Sequence, residues 1–581
     1  MFSEFSQYLK KLEETPSRNS MTEILADLFR HAKEGEIGKL CYLLQGRVAP
    51  LYEAVEFGVA DKFMIRAIAE ASGVSEKKVN QKFKKSGDLG IVAQACHAQT
   101  GDKGDKGNRG DKGELNIFRV YEALRQVTKE SGEGSQDKKI TLLAELLQSV
   151  DPLSARFIAR IPLDKLRLGF SDMTILDALS WMLVGGKSLR DTLEEAYNVR
   201  PDIGYLSDAV KSFGIKGLSH VKVKVGAPIL ASLCQRLPTA DEMIKKMGEV
   251  AVEPKYDGVR VQIHYEKSKV KSQKSKVITF SRNLENTTAM FPELQHIGNQ
   301  LNATEVILDG EAIGVDPKTG KLIPFQETMT RKRKHEIALA LKNVPLKFYI
   351  FDILYRDGKE LLNTPLSERR TVLEQVVKKG DLLVISPQII TSKASDIRRY
   401  HDEQINKGLE GAVVKKWKSP YEPGRRGFSW VKFKEEEGKT GKLTDTIDGV
   451  VMGYYRGEGK RSGFGIGAFL VGVKKGEHFV TITKIGTGVS DALWKELRTE
   501  LNTLKANQKP KEYADIDKMF LPDVWVSPKL VIELAGDDLT KSKTHGAGVA
   551  VRFPRLVRIR RDKSPQDVTS VAEIRRMYTD Q

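Results

Sequence analysis

The sequence predicts a multidomain protein, helical first, α/β in the middle and all-β at the end. Three observations carry that reading. Apolar residues recur at helical spacing through about the first 220 residues. From about residue 228 they gather into short runs with turns between them. Farther on, the charged, glycine-containing stretch Glu435-Glu436-Glu437-Gly438-Lys439 has the look of a linker into a last, strand-rich region. A chain of 581 residues has room for about three or four domains. The expected boundaries are 1–225, 226–436 and 437–581.

In the helical region Ile117, Tyr121, Leu124 and Val127 form one stripe. Ile140, Leu143, Leu147 and Val150 form a second, and Ile175, Leu179 and Met182 a third, each read as core. Between two helical stretches, residues 101–113 carry glycine at every third place. The run is short, single and without proline, which suits a charged loop better than a collagen-like helix. The middle region contains the strand-like runs Val306-Ile307-Leu308, Phe348-Tyr349-Ile350-Phe351 and Gly411-Ala412-Val413-Val414. In the last region Asp448 to Tyr455 and Ala468 to Val473 suggest a small β-barrel rich in turns.

Composition narrows the class. With 40% hydrophobic and 30% charged residues the chain reads as an ordinary soluble protein. No apolar run is long enough to span a bilayer and no signal peptide is visible, so no membrane role is expected. The three cysteines, Cys41, Cys96 and Cys234, are scattered, which excludes a disulfide framework and a Cys-x-x-Cys zinc pattern. A cytosolic setting is the default. The net charge of +18 points to a polyanionic partner, nucleic acid before membrane.

The most informative segment is Glu253-Pro254-Lys255-Tyr256-Asp257-Gly258-Val259-Arg260. Alternation beyond the Asp-Gly pair predicts two strands joined by a tight turn, with Lys255 at a strand end. A fixed, partly desolvated lysine can lose its proton and act as a nucleophile. Downstream, Ser281-Arg282-Asn283 follows a strand-like run. Asp309-Gly310-Glu311 repeats the strand-turn pattern with a carboxylate after it, and Phe351 lies in an apolar strand ending in Asp352. Glu410 and Lys415 stand five apart, so simple alternation puts them on opposite faces, whereas Lys432 and Lys434 share one. Arg552 to Lys563 packs six basic residues into twelve positions. Each element alone has an ordinary structural explanation; their order is what carries chemistry.

Taken together these motifs resemble the ATP-dependent DNA ligases of the archaeal type, which are also similar to the catalytic core of eukaryotic replicative ligases. Leu284 to Leu294, Arg331 to Lys334, Pro365 to Arg370, Leu166 to Phe170 and Thr174 to Leu179 add to the resemblance, which spans essentially the whole chain. It implies an all-α DNA-binding domain, an ATP-grasp-like nucleotidyltransferase domain and an OB-fold barrel. The implied activity is sealing of 5′-phosphate/3′-hydroxyl nicks in duplex DNA, in replication, repair and recombination, with ATP and Mg²⁺. Lys255 would carry AMP on its side-chain nitrogen. By the same pattern Glu253 and Phe351 would hold the adenine and Glu311 the ribose. Arg260, Arg282 and Arg426 would meet ribose or phosphate, with Lys432 and Lys434 at the α-phosphate. Arg555, Arg558 and Lys563 would orient pyrophosphate, and Glu311 with Glu410 would hold the metal.

Nicked double-stranded DNA is the expected partner, bound by a monomer, with a sliding clamp as a further candidate. The cytoplasm of a prokaryote is the expected setting, because the chain lacks the long N-terminal extension of eukaryotic ligases. RNA ligases and capping enzymes share the lysine chemistry, but the long helical region argues against them. Gly185-Gly186-Lys187-Ser188 imitates a phosphate loop, yet Trp181 stands where its first glycine belongs. A non-enzymatic scaffold would leave the intact motifs unexplained. An NAD-dependent ligase would need a four-cysteine zinc site.

Overall fold

The structure, a computed structural model, describes all residues except 16, 101–114, 167, 269, 271–274, 324–327, 329–343, 425–426, 434–444, 458–463, 488, 515 and 580–581. The glycine repeat, Arg331 to Lys334, Arg426, Lys434 and the expected linker at 435–439 lie outside the described residues. The chain forms two compact units, Met1–Phe433 and Lys434–Gln581.

The first unit begins with helices from Phe2–Glu14 to Ile203–Phe213. Ile117, Tyr121, Leu124 and Val127 are buried along the helix Ile117–Lys129, as their spacing predicts. The helix Asp172–Val184 ends on Gly185 at φ +68°, so the loop-like Gly185 to Ser188 caps a helix C-terminus. Among the described residues no helix is long and apolar enough to cross a membrane.

Two sheets follow. The first has the order Gln235–Arg236, Trp430–Phe433, Ala412–Lys416, Val250–Pro254, Ile389–Thr391. In the second, Lys276–Ser281, Val259–Glu266, Glu305–Gly314, Leu346–Arg356 and Lys359–Glu360 run in that order, with Leu383–Ile385 parallel to Leu346–Arg356. One face of the first sheet (Val250, Val252, Val414, Val431, Phe433) packs on the helices Ala240–Met247 and Ala394–Asn406. One face of the second (Val261, Ile263, Leu308, Phe348) packs on the helix Leu366–Val376 and the 3₁₀ segment Pro292–Gln300. Strand alternation then turns Glu253, Lys415 and Lys432 to the remaining face of one sheet. It does the same for Arg260, Gln262, Asp309 and Glu311 on the other. Phe351, Trp430, Tyr421 and Ile307 share an apolar cluster between these faces.

Two turns expected from Asp-Gly pairs are not turns. Val250–Pro254 and Val259–Glu266 belong to different sheets, so Lys255 to Gly258 carries the chain from one sheet to the other. Gly258 is needed there for close approach: a Cβ would meet the Ala312 carbonyl at 2.6 Å and Glu311 Cγ at 2.8 Å. Asp309-Gly310 lies inside the continuous strand Glu305–Gly314, at an irregularity in its pairing with Leu346–Arg356. The strand with Phe351 also runs past Asp352 to Arg356.

The second unit is strand-rich. Its main sheet runs His478–Ile485, Ala468–Lys475, Ile447–Tyr455, Val524–Val526, Lys505–Ala506. Val531–Ala535 pairs with the other half of Ile447–Tyr455 and with Arg555–Ile559. Asp538–Lys541 and Val549–Arg552 form a separate two-stranded sheet. The pairings branch at Ile447–Tyr455, and none among the described residues closes the sheet.

Candidate active site

Lys255 stands one residue beyond the strand Val250–Pro254. Its N–H donates to the Gly411 carbonyl at 2.9 Å, and its carbonyl accepts from Glu410 N–H at 3.1 Å. Both main-chain groups are thus fixed to the start of the neighbouring strand. Gly411 sits at φ +113°, and a Cβ there would meet His401 at 2.8 Å, so this position requires glycine. The kink resets the alternation, which is why Glu410 and Lys415 both reach the site despite their odd spacing. The Glu410 carboxylate forms an ion pair with the Lys255 ammonium, each side chain 21% exposed.

Glu253 is buried beside it. Its Oε2 accepts from Lys415 Nζ at 2.8 Å, and its Oε1 has no hydrogen-bond partner among the described residues. Burial pushes the Glu253 carboxyl up, and the Lys415 ammonium opposes that shift. Lys415 itself lies over two aromatic rings, 4.2 Å from the Trp430 centroid and 4.5 Å from that of Phe351. Phe351 meets Trp430 edge to face at 5.8 Å.

Arg260 holds Asp309 with two hydrogen bonds, Nε to Oδ1 at 3.1 Å and Nη2 to Oδ2 at 2.6 Å. Its Nη1 donates to the Ser232 carbonyl at 2.7 Å, and the Tyr421 hydroxyl donates to Asp309 Oδ2 at 2.8 Å. Gln262 exchanges two hydrogen bonds with the main chain of Ile229, and Gly226 N–H donates to His264 Nδ1 at 3.0 Å. These contacts fasten residues 226–232 along the edge of the site. Burial holds the His264 ring neutral, its pKa pushed down to about 3. Glu311, opposite Arg260 in register, is pushed up to about 7 by burial, against the charges of Arg260 and Lys255.

Arg282 is exposed in the turn after Lys276–Ser281, lining a small cavity with Arg260, Gln262 and Asp309. Lys432 is half-buried, on the Trp430 side of its strand. Lys255, Glu253, Arg260, Glu311, Phe351, Lys432 and Glu410 therefore converge on the space between the two sheets. Arg555, Arg558 and Lys563 belong to the other unit. There they bind Asp537 at 3.0 Å, Glu533 at 2.7 Å and Asp448 at 2.5 Å.

The sequence reading left out Lys415, Asp309, Tyr421 and Cys234. Cys234 packs in the apolar cluster with Phe351 and Trp430. Its thiol is pushed up by burial, against the charges of Arg260, Lys415, Lys255 and Lys432. Lys415 ends the segment Glu410 to Lys415, whose five-residue spacing hides that both ends face the site.

The donor set fits the implied nucleotide. The unpartnered, buried Glu253 oxygen calls for a hydrogen-bond donor, a ring system is at hand, and cations for phosphates stand nearby. It also fits Mg²⁺. Among the described residues no group of three or more His, Cys, Asp or Glu could hold a metal. Two carboxylates acting on one lysine suffice, because Mg²⁺ commonly takes one or two carboxylates and fills its shell with phosphate and water oxygens.

Family models match along the chain: "DNA ligase N terminus" over residues 1–180, "ATP dependent DNA ligase domain" over 228–434 and "ATP dependent DNA ligase C terminal region" over 462–563. The "Probable DNA ligase" of Dictyoglomus thermophilum is 40% identical, covering 100% of this chain and 98% of that protein. "DNA ligase 2" of Thermofilum pendens is 38% identical, covering 100% and 97%. The solved structure "Pmar-Lig_PreS3" shares the fold at a TM-score of 0.53 and 17% identity, covering 96% of this chain and 99% of that one. On these similarities the chain belongs to the ATP-dependent DNA ligase family.

Proposed function

We propose that Lys255 is the nucleophile of this ligase. Its Nζ attacks the α-phosphate of ATP; a nitrogen–phosphorus bond forms and the bond to pyrophosphate breaks. AMP then passes to the 5′-phosphate of a nick, and the 3′-hydroxyl displaces it to join the strand. The observation that carries this reading is the Lys255–Glu410 ion pair beside the unpartnered Glu253 oxygen.

Glu253 accepts from the base, Phe351 gives it an apolar wall, and Glu311 addresses the ribose. Arg260, Arg282 and Arg426 serve ribose or phosphate, and Lys432 and Lys434 the α-phosphate. Glu311 and Glu410 would hold Mg²⁺, which when bound would neutralise phosphate charge in the transition state. Before attack the ammonium must shed a proton from Nζ. Its partner Glu410 favours the charged form, so drawing Glu410 toward another cation frees the nitrogen. Arg555, Arg558 and Lys563 serve pyrophosphate departure.

The same reading places domains at 1–225, 226–436 and 437–581, with an ATP-grasp-like middle and an OB-fold end. It takes nicked duplex as substrate, a monomer as the working form, a sliding clamp as a candidate partner and the prokaryotic cytoplasm as setting. The test is a denaturing gel after incubation with Mg²⁺ and ATP labelled at the α-phosphate. Label should stay on the wild type, be missing from Lys255→Ala, and leave on addition of nicked duplex as joined product forms. A wild type that binds nucleotide yet takes no label would overturn the assignment.

A further inference from the structure

Lys415 is almost fully buried beside Glu253, the two side chains 2% and 3% exposed. It spends its charge on Glu253 Oε2 and lies against the rings of Trp430 and Phe351. We propose that Lys415 is a positioning residue that sets base selectivity: it keeps Glu253 an ionised, oriented acceptor, so the site admits a 6-amino purine and refuses a 6-oxo purine. This rests on the reading above that Glu253 meets the base.

The bond from Lys415 leaves Glu253 one buried carboxylate oxygen, Oε1, without a hydrogen-bond partner among the described residues. With Oε2 taken by Lys415, the unpartnered Oε1 must find a donor. A buried acceptor left unpaired is costly, which is what makes such sites selective. The exocyclic amine of adenine donates. The 6-oxo group of a hypoxanthine or guanine base is itself an acceptor and would face a carboxylate oxygen.

Remove the ammonium and the chemistry inverts. A fully buried carboxyl without its cation takes a proton, and the neutral acid can donate. The other groups acting on Glu253 do not replace Lys415. Arg370 favours the ionised form without a hydrogen bond to it; Asp352 opposes it, and Tyr256 and Tyr400 lie close enough to feel its charge. Asp352 is itself closed off by Arg369, through bonds of 2.8 and 2.9 Å.

The test measures transfer of the α-labelled nucleotide to protein from ATP and from ITP, which differ at the 6-position and its N1 proton. Lys415→Met should lose at least tenfold with ATP and lower the ATP-to-ITP rate ratio at least tenfold. Lys415→Arg, which keeps the charge, should retain the ratio. Nicked-duplex binding serves as the fold control. A folded Lys415→Met that loses both nucleotides equally, its ratio unchanged, overturns the proposal. If that variant does not fold, the neutral pair Glu253→Gln/Lys415→Met decides. Its amide can donate, so a wild-type ratio there also overturns it. A wild type that takes no label from ATP refutes the nucleophile assignment instead, and so is told apart from failure of this proposal.

Discussion

Arg260 and Arg558 each grip a carboxylate at hydrogen-bonding distance, but in opposite surroundings. In the middle region Arg260 is 17% exposed and its partner Asp309 1%. In the second unit Arg558 is 64% exposed over Glu533, and Arg555 and Arg561 are similarly open. A buried pair loses water on both sides and cannot be parted cheaply; an exposed pair exchanges partners at little cost. The same residue type therefore does two jobs. Arg260 is architecture, whereas Arg558 rests on Glu533 at the surface and is open to exchange with another anion.

The contrast is sharpest in Asp309→Ala. Stranding Arg260 should cost about 3–5 kcal/mol of stability, read by denaturant unfolding of the first unit. A loss comparable to that of Arg558→Ala would erase the distinction. Next in size is a pH effect within the same buried wall. His264 is held neutral with a pKa pushed down to about 3, below the ordinary value of 6.5. The unfolded chain takes up a proton as pH falls below 6.5 while the folded chain refuses it until about 3. This contribution is therefore complete above pH 6.5 and lost across that window. Between pH 7.5 and 5 the wild type should lose about 2 kcal/mol more than His264→Gln. Equal losses would show the ring is not held neutral.

The smallest effect on stability belongs to the exposed side. Arg558→Ala should change unfolding by no more than about 1 kcal/mol. If it meets DNA phosphate, the variant should also flatten the salt dependence of nicked-duplex binding by about one unit of slope. For the wild type, that binding should weaken steeply as salt rises, given the chain's net charge of +18. Salt-insensitive binding would remove the electrostatic account altogether.

Much of this was legible in the residues. The helical stripes bury as spaced except at Val150 and Met182, which are half-buried, Val150 beyond the end of its helix; the motif residues Lys255, Glu253, Arg260, Glu311 and Phe351 lie on or beside the facing sides of the two sheets. What could not be read was which strands pair. Alternation on either side of Asp257-Gly258 looks the same whether the two strands pair with each other or with distant partners. Gly310 illustrates the reason: a Cβ there would strike Ile350 and the Tyr349 carbonyl, forty residues away along the chain. Lys415 was lost in the same way. Its distance from Glu410 predicted opposite faces, and only the left-handed backbone of Gly411 undoes that count.

The crossing at Lys255 to Gly258 has a mechanical meaning. Lys255 is bonded through its main chain to one sheet, and within four residues the chain is paired in the other. A nucleotide gripping Glu253 on the first and Glu311 on the second would rivet the two layers together at their shared seam. Were AMP joined to Lys255 as proposed, the bond at that same seam would turn the rivet into a weld, and the middle region would stiffen when AMP is loaded and loosen when it departs.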